Sequence, residues 1–170
     1  MDTIGGLGVK VAVITCSNRS ARGERLDDSG RLLADGFAAA GREVLPPVIV
    51  ADDVEQIRAA VRGALAEGAD VVVTTGGTGL SPTDVTPEAV GPMLERMVPG
   101  IAEALRAFAR DRVPTSVLSR GVAGTIGATL VVTLPGSPGG VKDGLAVLSP
   151  LIDHIHDQLR GGDHRPGGGA

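Results

Sequence analysis

The run ADVVVTTGGTG, residues 69–79, joins a short apolar segment to a loop that contains three glycines. Val and Thr favour strands, and a short apolar run without alternation is typical of a strand buried on both faces. Gly76, Gly77 and Gly79 carry no Cβ, so an anion can approach their backbone N–H groups closely. The helix start at Thr86-Pro87 would add the positive end of a dipole. A plain strand-to-helix turn that needs positive φ would use the same glycines.

Strands alternate with helices on both sides of this run. The pattern predicts an α/β fold, a three-layer α/β/α sandwich with a mostly parallel central sheet. Strands are expected at 9–15, 43–50, 69–75 and 129–134, with Pro46-Pro47 marking an edge or a bulge, and a loop at 17–30. Helices are expected at about 29–40, 54–67, 87–97, 101–108 and 141–159, the last kinked at Pro150, and 116–127 is expected to be irregular or to hold short strands.

The composition is that of one globular domain. Of 170 residues, 42% are hydrophobic and 21% are charged; we expect a single domain at 1–160 and a flexible C-terminal tail at 161–170. An aromatic content of 1% and a net charge of −4 disfavour a nucleic-acid binder. The one cysteine, Cys16, excludes an internal disulfide and a cysteine-rich zinc site. We see no signal peptide and no membrane-spanning run, so a cytoplasmic protein without membrane contact is expected.

Three loops follow predicted strands and are rich in Gly, Pro or polar residues. They are 16–19 (CSNR), 75–79 (TGGTG) and 135–140 (PGSPGG). If these strands are parallel, the loops meet at one edge of the sheet, where ligands of such sheets bind. Together they favour an anion site, with phosphate the expected ligand. Neither a GxxxxGK[ST] loop nor a GxGxxG loop after the first strand is present.

Several side chains near these loops allow two interpretations. Asp84 could hold Mg²⁺ beside bound phosphates or cap the following helix. Asp52 is expected to cap the helix after the second strand, although Asp53 begins a capping box and could do so instead; either choice leaves the other acid free. Arg120 could pair with a phosphate or be a solvated surface charge. Cys16 is expected to be a small buried hydrophobic residue.

The same motifs, taken in order, resemble one family. TGGTG at 75–79, DVTPE at 84–88, LSRGVAG at 118–124 and LPGSP at 134–138 are similar to segments of the molybdopterin adenylyltransferase (MogA/MoaB) family, which includes the G domains of gephyrin and of the plant Cnx proteins. The resemblance covers about residues 9–160. It implies a homo-oligomer, usually a trimer and sometimes a hexamer, that works with other molybdenum cofactor biosynthesis proteins.

The resemblance also implies a reaction, in which Mg-ATP adenylylates the terminal phosphate of molybdopterin and pyrophosphate leaves. Asp84 and Asp52 would be the catalytic acids, with Asp84 also the metal ligand. The residues implied to bind nucleotide are Thr75, Gly76, Gly77, Thr78, Gly79, Pro135, Gly136 and Ser137. Those implied to bind the second substrate are Ser17, Asn18, Thr86, Glu88, Ser119 and Arg120.

Two positions depart from the family pattern. Asn18 stands where Ser-Asp-Arg is frequent, and the last loop reads PGSPGG where PGNP or PGQPK is frequent, with the next lysine at Lys142. Both departures resemble the MoaB side of the family. The alternative function is therefore a catalytically inactive, oligomeric MoaB-like protein that binds pterin or a protein partner. A dinucleotide-dependent oxidoreductase is disfavoured by the missing GxGxxG.

Overall fold

A seven-stranded, mostly parallel sheet forms the centre of the protein. The computed structural model describes residues 8–162. The strands are β1 (Lys10–Cys16), β2 (Glu43–Val44), β3 (Val48–Val50), β4 (Val71–Thr75), β5 (Arg96–Met97), β6 (Ala123–Ile126) and β7 (Thr129–Leu134). The helices are α1 (Asn18–Ala21), α2 (Asp28–Ala39), α3 (Val54–Ala66), α4 (Thr86–Val90), α5 (Pro99–Ala109), α6 (Pro138–Leu148) and α7 (Ile152–Leu159), with short 3₁₀ turns at Gly91–Met93 and Pro114–Leu118.

The strand order places β1, β4 and β7 side by side and parallel. The order is β2-β1-β4-β7-β6-β5, and β3 also pairs with β1. β6 runs antiparallel to both β7 and β5. The chain leaves β1 toward β2 and β3 on one side and returns to β4 on the other. A crevice between β1 and β4 at their carboxyl ends follows from this reversal, and ligands of open α/β sheets bind in such crevices.

Two apolar cores, one on each face of the sheet, confirm the three-layer prediction. Alternate residues of β1 face opposite sides: Val11 and Val13 pack in one core, and Ala12 and Ile14 pack in the other. Helices α2, α5, α6 and α7 cover the first face, and α3 and α4 cover the second. Phe37 of α2 and Ile57 of α3 are fully buried anchors of the two layers. Burying a side chain of this size contributes roughly 1.5–3 kcal/mol.

The predicted second strand is interrupted at its prolines. Val11 pairs with Val44 and Ile14 pairs with Val48, so three steps along β1 match four along its neighbour. One extra residue is therefore accommodated at Leu45–Pro47, as a proline-containing edge strand allows.

The predicted helix at 87–97 is wrong. Helix α4 ends at Val90, one 3₁₀ turn follows, and Arg96–Met97 is the edge strand β5. Pro92 has no N–H to donate to the carbonyl of Glu88, so the α-helix cannot continue through it. Arg58 of α3 donates to that carbonyl from its Nη2 at 3.2 Å and to the carbonyl of Ala89 from its Nε at 3.0 Å.

Three smaller differences concern the other segments. The predicted loop 17–30 contains the single-turn helix α1, capped by Ser17, and α2 begins within it at Asp28. The expected kink at Pro150 is a full break between α6 and α7. The segment 116–127 contains β6, as expected. Most of the predicted flexible tail, 163–170, lies outside the described residues.

Candidate functional site

The three predicted loops meet at the carboxyl edge of the sheet. The N–H of Gly76 donates to the carbonyl of Leu134 at 3.0 Å, and Oγ1 of Thr75 donates to the carbonyl of Pro135 at 2.8 Å. Oγ of Ser29, at the start of α2, donates to the carbonyl of Gly136 at 2.8 Å. The loops after β4 and β7 are thus joined by direct hydrogen bonds, and the convergence expected from the sequence is confirmed.

Gly76 is required by the contact between loops. Its φ is +101°, and a Cβ there would lie 2.3 Å from the carbonyl oxygen of Cys16. A Cβ on Gly136 would lie 3.1 Å from the Cα of Gly76. Side chains at these positions would force the three strand ends apart, so close backbone packing explains these glycines.

The next three residues fit an anion. The N–H groups of Gly77, Thr78 and Gly79 have no acceptor among residues 8–162, whereas the N–H of Gly76 is used by Leu134. Buried or half-buried N–H groups normally find an acceptor. Three free donors in sequence at this edge therefore fit the oxygens of a phosphate.

The structure distinguishes Asp52 from Asp53. Asp53 is the N-cap of α3, and its carboxylate accepts from the N–H of Gln56 at 2.9 Å. Asp52 instead faces the loop after β1: its Oδ2 accepts from the N–H of Asn18 at 3.0 Å, and its own N–H donates to Oδ1 of Asn18 at 2.9 Å. Its Oδ1 lies 3.2 Å from the position of a Cβ on Gly77, beside the glycine loop.

Asp84 does not cap a helix. The N-cap position of α4 is Val85, which makes no side-chain capping bond. Oδ2 of Asp84 accepts from the N–H of Ser81 at 3.0 Å, and the N–H of Asp84 donates to the carbonyl of Ser81 at 2.9 Å. This oxygen lies 2.7 Å from the position of a Cβ on Gly79, so the acid is folded back onto the glycine loop.

Two adjoining clefts share the wall that contains Asp84. The apolar cleft, of about 490 Å³, lies against α5 and the following 3₁₀ turn and is lined by Ala102, Leu105, Ala109, Val113 and Leu118, among others. The polar cleft, of about 640 Å³, lies against the loop 16–29. Gly77, Asp84, Gly136 and Ser137 line both clefts. Two ligands could therefore meet beside Asp84.

Charged side chains of both signs surround the polar cleft. Asp52 and Asp84 lie in it with Arg19, Arg22 and Arg25. Arg22 is paired with Glu24 at 2.8 Å. Arg19 and Arg25 are exposed, and their side chains make no hydrogen bond to any residue within 8–162, so both guanidinium groups can reach an anionic ligand in this cleft.

The remaining predicted residues divide into two groups. Ser17 and Asn18 line the polar cleft, and Thr78 and Ser119 line the apolar cleft. Thr86, Glu88 and Arg120 line neither cleft. Thr86 is fully buried, and its Oγ1 donates to the carbonyl of Gly76 at 2.9 Å. Arg120 and Glu88 form an ion pair with each other.

Some residues of the site were not predicted from the sequence. Arg106 of α5 lines the apolar cleft and donates from Nη1 to the carbonyls of Ser119 and Gly121, each at 3.2 Å. Arg112 also lines this cleft and bonds to Asp143 at 2.9 Å. Phe108, an apolar residue of α5, is 50% exposed. No local pattern separates these two arginines from ordinary surface arginines.

The environment of Cys16 makes it a structural residue. Burial raises the pKa of its thiol to about 12; a hydrogen bond with Thr86 opposes this, and the nearby Asp52 carboxylate adds to it. Among the described residues no group of three or more Cys, His, Asp and Glu could hold a metal. No helix in the described part of the chain is long and apolar enough to cross a membrane.

The fold and the paired clefts define an α/β protein whose candidate ligand site lies at the carboxyl edge of its sheet. Residues 12–154 match the family model described as a probable molybdopterin binding domain, and the chain belongs to this family. A molybdopterin adenylyltransferase from Pyrococcus furiosus is 38% identical, with 89% of this chain and 91% of that protein covered. A crystal structure of a molybdopterin biosynthesis protein from Mycobacterium abscessus superposes with a TM-score of 0.85 at 44% identity, covering 89% of this chain and 96% of that one.

Longer relatives also match. A molybdenum cofactor biosynthesis bifunctional protein from Chlorobaculum tepidum is 38% identical over 91% of this chain and 50% of its own length. The chain spans about half the length of the bifunctional relatives that it matches. The family resemblance read from the four motifs is thus confirmed.

Proposed function

We propose that this chain is a molybdopterin adenylyltransferase that acts in molybdenum cofactor biosynthesis. Asp84 on the wall shared by two clefts is the observation that carries the proposal. Transfer between two substrates requires that both bind at once with their reacting groups in contact. Two adjoining clefts, one largely apolar and one polar, can hold two substrates at once, whereas a single pocket for one ligand cannot.

The proposed step is an in-line displacement at phosphorus. An oxygen of the terminal phosphate of molybdopterin attacks the α-phosphorus of ATP, and a new P–O–P bond forms. The bond from the α-phosphorus to the bridging oxygen breaks, and pyrophosphate leaves with that electron pair. The attacking phosphate is already anionic near neutral pH, so no general base has to remove a proton.

The protein then has to position the phosphates and balance their charge. The free N–H groups of Gly77, Thr78 and Gly79 would bind phosphate oxygens, and the N-terminus of α6 at Ser137–Pro138 faces the same clefts. Arg19 and Arg25 would hold the outer phosphates of the nucleotide. The backbone N–H groups of the loop and of the start of α6 are held by the fold before the substrates bind, which reduces the reorganisation needed during transfer.

The carboxylates fit a magnesium ion that is shared with substrate. Mg²⁺ is commonly bound by one or two carboxylates together with phosphate oxygens. Asp52 and Asp84 each have one carboxylate oxygen that accepts no hydrogen bond from the described residues, and both lie beside the glycine loop. When bound there, Mg²⁺ would neutralise charge on the phosphates.

Exposed apolar side chains support a homo-oligomer. Met97, Phe108 and Val117 are each at least half exposed, on β5, α5 and the turn after α5. A contiguous patch of such side chains would mark a surface that contacts another protein. We propose a cytoplasmic homotrimer, with a hexamer as the alternative, that passes its product to other molybdenum cofactor biosynthesis proteins. Sedimentation equilibrium measures the assembly directly, and a monomer at micromolar concentration would contradict the proposal.

Replacing Asp84 with Asn tests the reaction. Asn retains an oxygen that can accept from Ser81, so the loop should keep its shape while the negative charge is lost. We expect Asp84→Asn to lower kcat for pyrophosphate release by about a hundredfold or more, and to leave ATP binding by calorimetry within about threefold.

Asp53→Asn is the matched control, because the same charge is removed one residue from Asp52 at a position that caps α3. This variant should turn over at the wild-type rate. Undiminished turnover in Asp84→Asn would refute the role of the acid. A wild-type chain that binds molybdopterin and Mg-ATP without releasing pyrophosphate would instead establish the non-catalytic alternative.

A further inference from the structure

Arg120 is engaged with the protein rather than with either cleft. Its Nε donates to the carbonyl of Gly79 at 2.8 Å, and its Nη2 donates to the carbonyl of Asp84, also at 2.8 Å. Its Nη1 pairs with Glu88. Its backbone N–H donates to the carbonyl of Thr78 at 2.8 Å. All three nitrogens of the guanidinium group are therefore used, and Arg120 lines neither cleft.

The segment that holds Asp84 depends on these bonds. Residues 80–83 are exposed, and the hydrogen bonds of Ser81 run only to Thr83 and Asp84 within the same segment. In the described chain, the hydrogen bonds that leave residues 79–84 all come from Arg120. The guanidinium bridges both ends of this six-residue loop, and no other hydrogen bond or ion pair within residues 8–162 ties the loop to the rest of the protein.

Glu88 completes the arrangement. It lies in the first turn of α4 and pairs with the guanidinium at the edge of the anion site. The hydrogen bond from Arg120 holds the pKa of Glu88 below its ordinary value, so this carboxylate stays charged at neutral pH. Because Glu88 balances its charge, the Arg120 guanidinium is attracted less strongly to a bound phosphate. Its planar group can therefore keep the hydrogen bonds to the two carbonyls.

We infer that Arg120 is a positioning residue that fixes Asp84 against the glycine loop, and that Glu88 holds Arg120 in that role. The catalytic role of Asp84 comes from the proposed function, whereas the positioning of Asp84 by Arg120 does not depend on that function. It replaces the expectation that Arg120 and Glu88 contact substrate.

Hydrogen exchange of the ligand-free protein tests directly whether Arg120 holds the loop 79–84 in place. Arg120→Lys keeps the charge but cannot reach both carbonyls and Glu88 together. We expect amides of the peptide 79–88 to exchange about tenfold faster or more in this variant, because the loop opens locally. Arg62→Lys is the matched control, since Arg62 is exposed on α3 and its side chain makes no hydrogen bond within the described residues. Its exchange should equal that of the wild type.

Kinetics separate positioning from substrate binding. Arg120→Lys should lower kcat about tenfold or more and change the KM for molybdopterin and ATP by less than about twofold. A raised KM with unchanged kcat and unchanged exchange would overturn the inference and make Arg120 a substrate ligand.

If Arg120→Lys does not fold, Glu88→Gln serves as the test variant. Its amides in 79–88 should exchange faster than those of the wild type, and unchanged exchange would also overturn the inference. A wild type without transferase activity would refute the proposed function alone, because the exchange result does not depend on turnover.

Discussion

Asp52 and Asp53 show how neighbouring residues of one type acquire different roles. Asp53 has extended backbone and caps α3, which is the usual role of an acid before a helix. Asp52 exchanges two hydrogen bonds with Asn18, which joins the segment after β3 to the loop after β1. The sequence favoured Asp52 as the cap, and this was wrong, because Asp53 caps the helix. Only the position of Asn18, distant in sequence, shows that Asp52 belongs to the cleft.

At the same scale, Cys16 gives a clear chemical prediction. Its thiol is buried with a pKa of about 12, so about one thiol in 10⁴ would be ionised at pH 8. We expect the native protein to react with a disulfide reagent such as dithionitrobenzoate at less than about 1% of the rate of the unfolded chain. Absorbance of the released thiolate measures this rate.

The chain contains one cysteine, so the signal belongs to a single site. The protein in concentrated guanidinium chloride is the control and should release one equivalent. Complete labelling of the native protein within minutes at pH 8 would show that the β1 end opens readily.

At the scale of elements, local signals and packing compete at α4. Pro87 lies in its first turn and favours the start, as the sequence predicted. Pro92 ends the α-helix, and the carbonyls left at its end are satisfied by Arg58 from α3. The sequence predicted a helix that continues to Met97, but Arg96 and Met97 pair with β6.

The cap of α3 provides a test at this scale. Asp53→Ala removes the acceptor for the N–H of Gln56, and we expect it to lower the free energy of unfolding by about 1 kcal/mol. Urea denaturation followed by circular dichroism measures the change. Asp53→Asn keeps a capping oxygen and should lose no more than a few tenths of a kcal/mol. Equal losses in the two variants would show that charge, rather than the cap, accounts for the effect.

At the scale of the whole molecule, ion pairs join distant parts of the chain. Arg42, after α2, pairs with Asp153 of α7, and Arg120 pairs with Glu88. Hydrogen bonds from these arginines lower the pKa of Asp153 below its ordinary 3.8 and the pKa of Glu88 below its ordinary 4.5. Both carboxylates therefore bind protons more readily in the unfolded chain.

These ion pairs should make the protein less stable in acid. These pairs stabilise the fold fully above the ordinary carboxyl pKa values, and the contribution is lost as pH falls through the lowered values of the folded state. We expect the urea midpoint to be lower at about pH 3 than at about pH 6, with a smaller difference in 1 M salt because the acids are exposed. In Arg42→Met, the urea midpoint should depend less on pH below pH 4 than it does in the wild type. A profile parallel to that of the wild type would contradict a contribution from Asp153.

Much of the fold could be predicted because its signals are local. Short apolar runs, helix caps and the Gly/Pro loops placed β1, β4, β7 and most helices near their observed bounds. The parallel order brought three loops to one edge, so the position of the candidate site was also predictable. β5 was not, because a two-residue edge strand is defined by its partner β6 and carries no periodicity of its own.

The sequence by itself determined the layers, the edge of the sheet at which the candidate site lies, the family motifs and the residue types at the site. Only the tertiary structure decided which acid faces the clefts, that Arg120 and Glu88 pair with each other, and that Arg106 and Arg112 of α5 line a cleft. The physical reason is that apolar periodicity and turn chemistry depend on neighbouring residues. A hydrogen bond from Arg120 to Asp84 depends on two segments 36 residues apart, and no local pattern encodes where they meet.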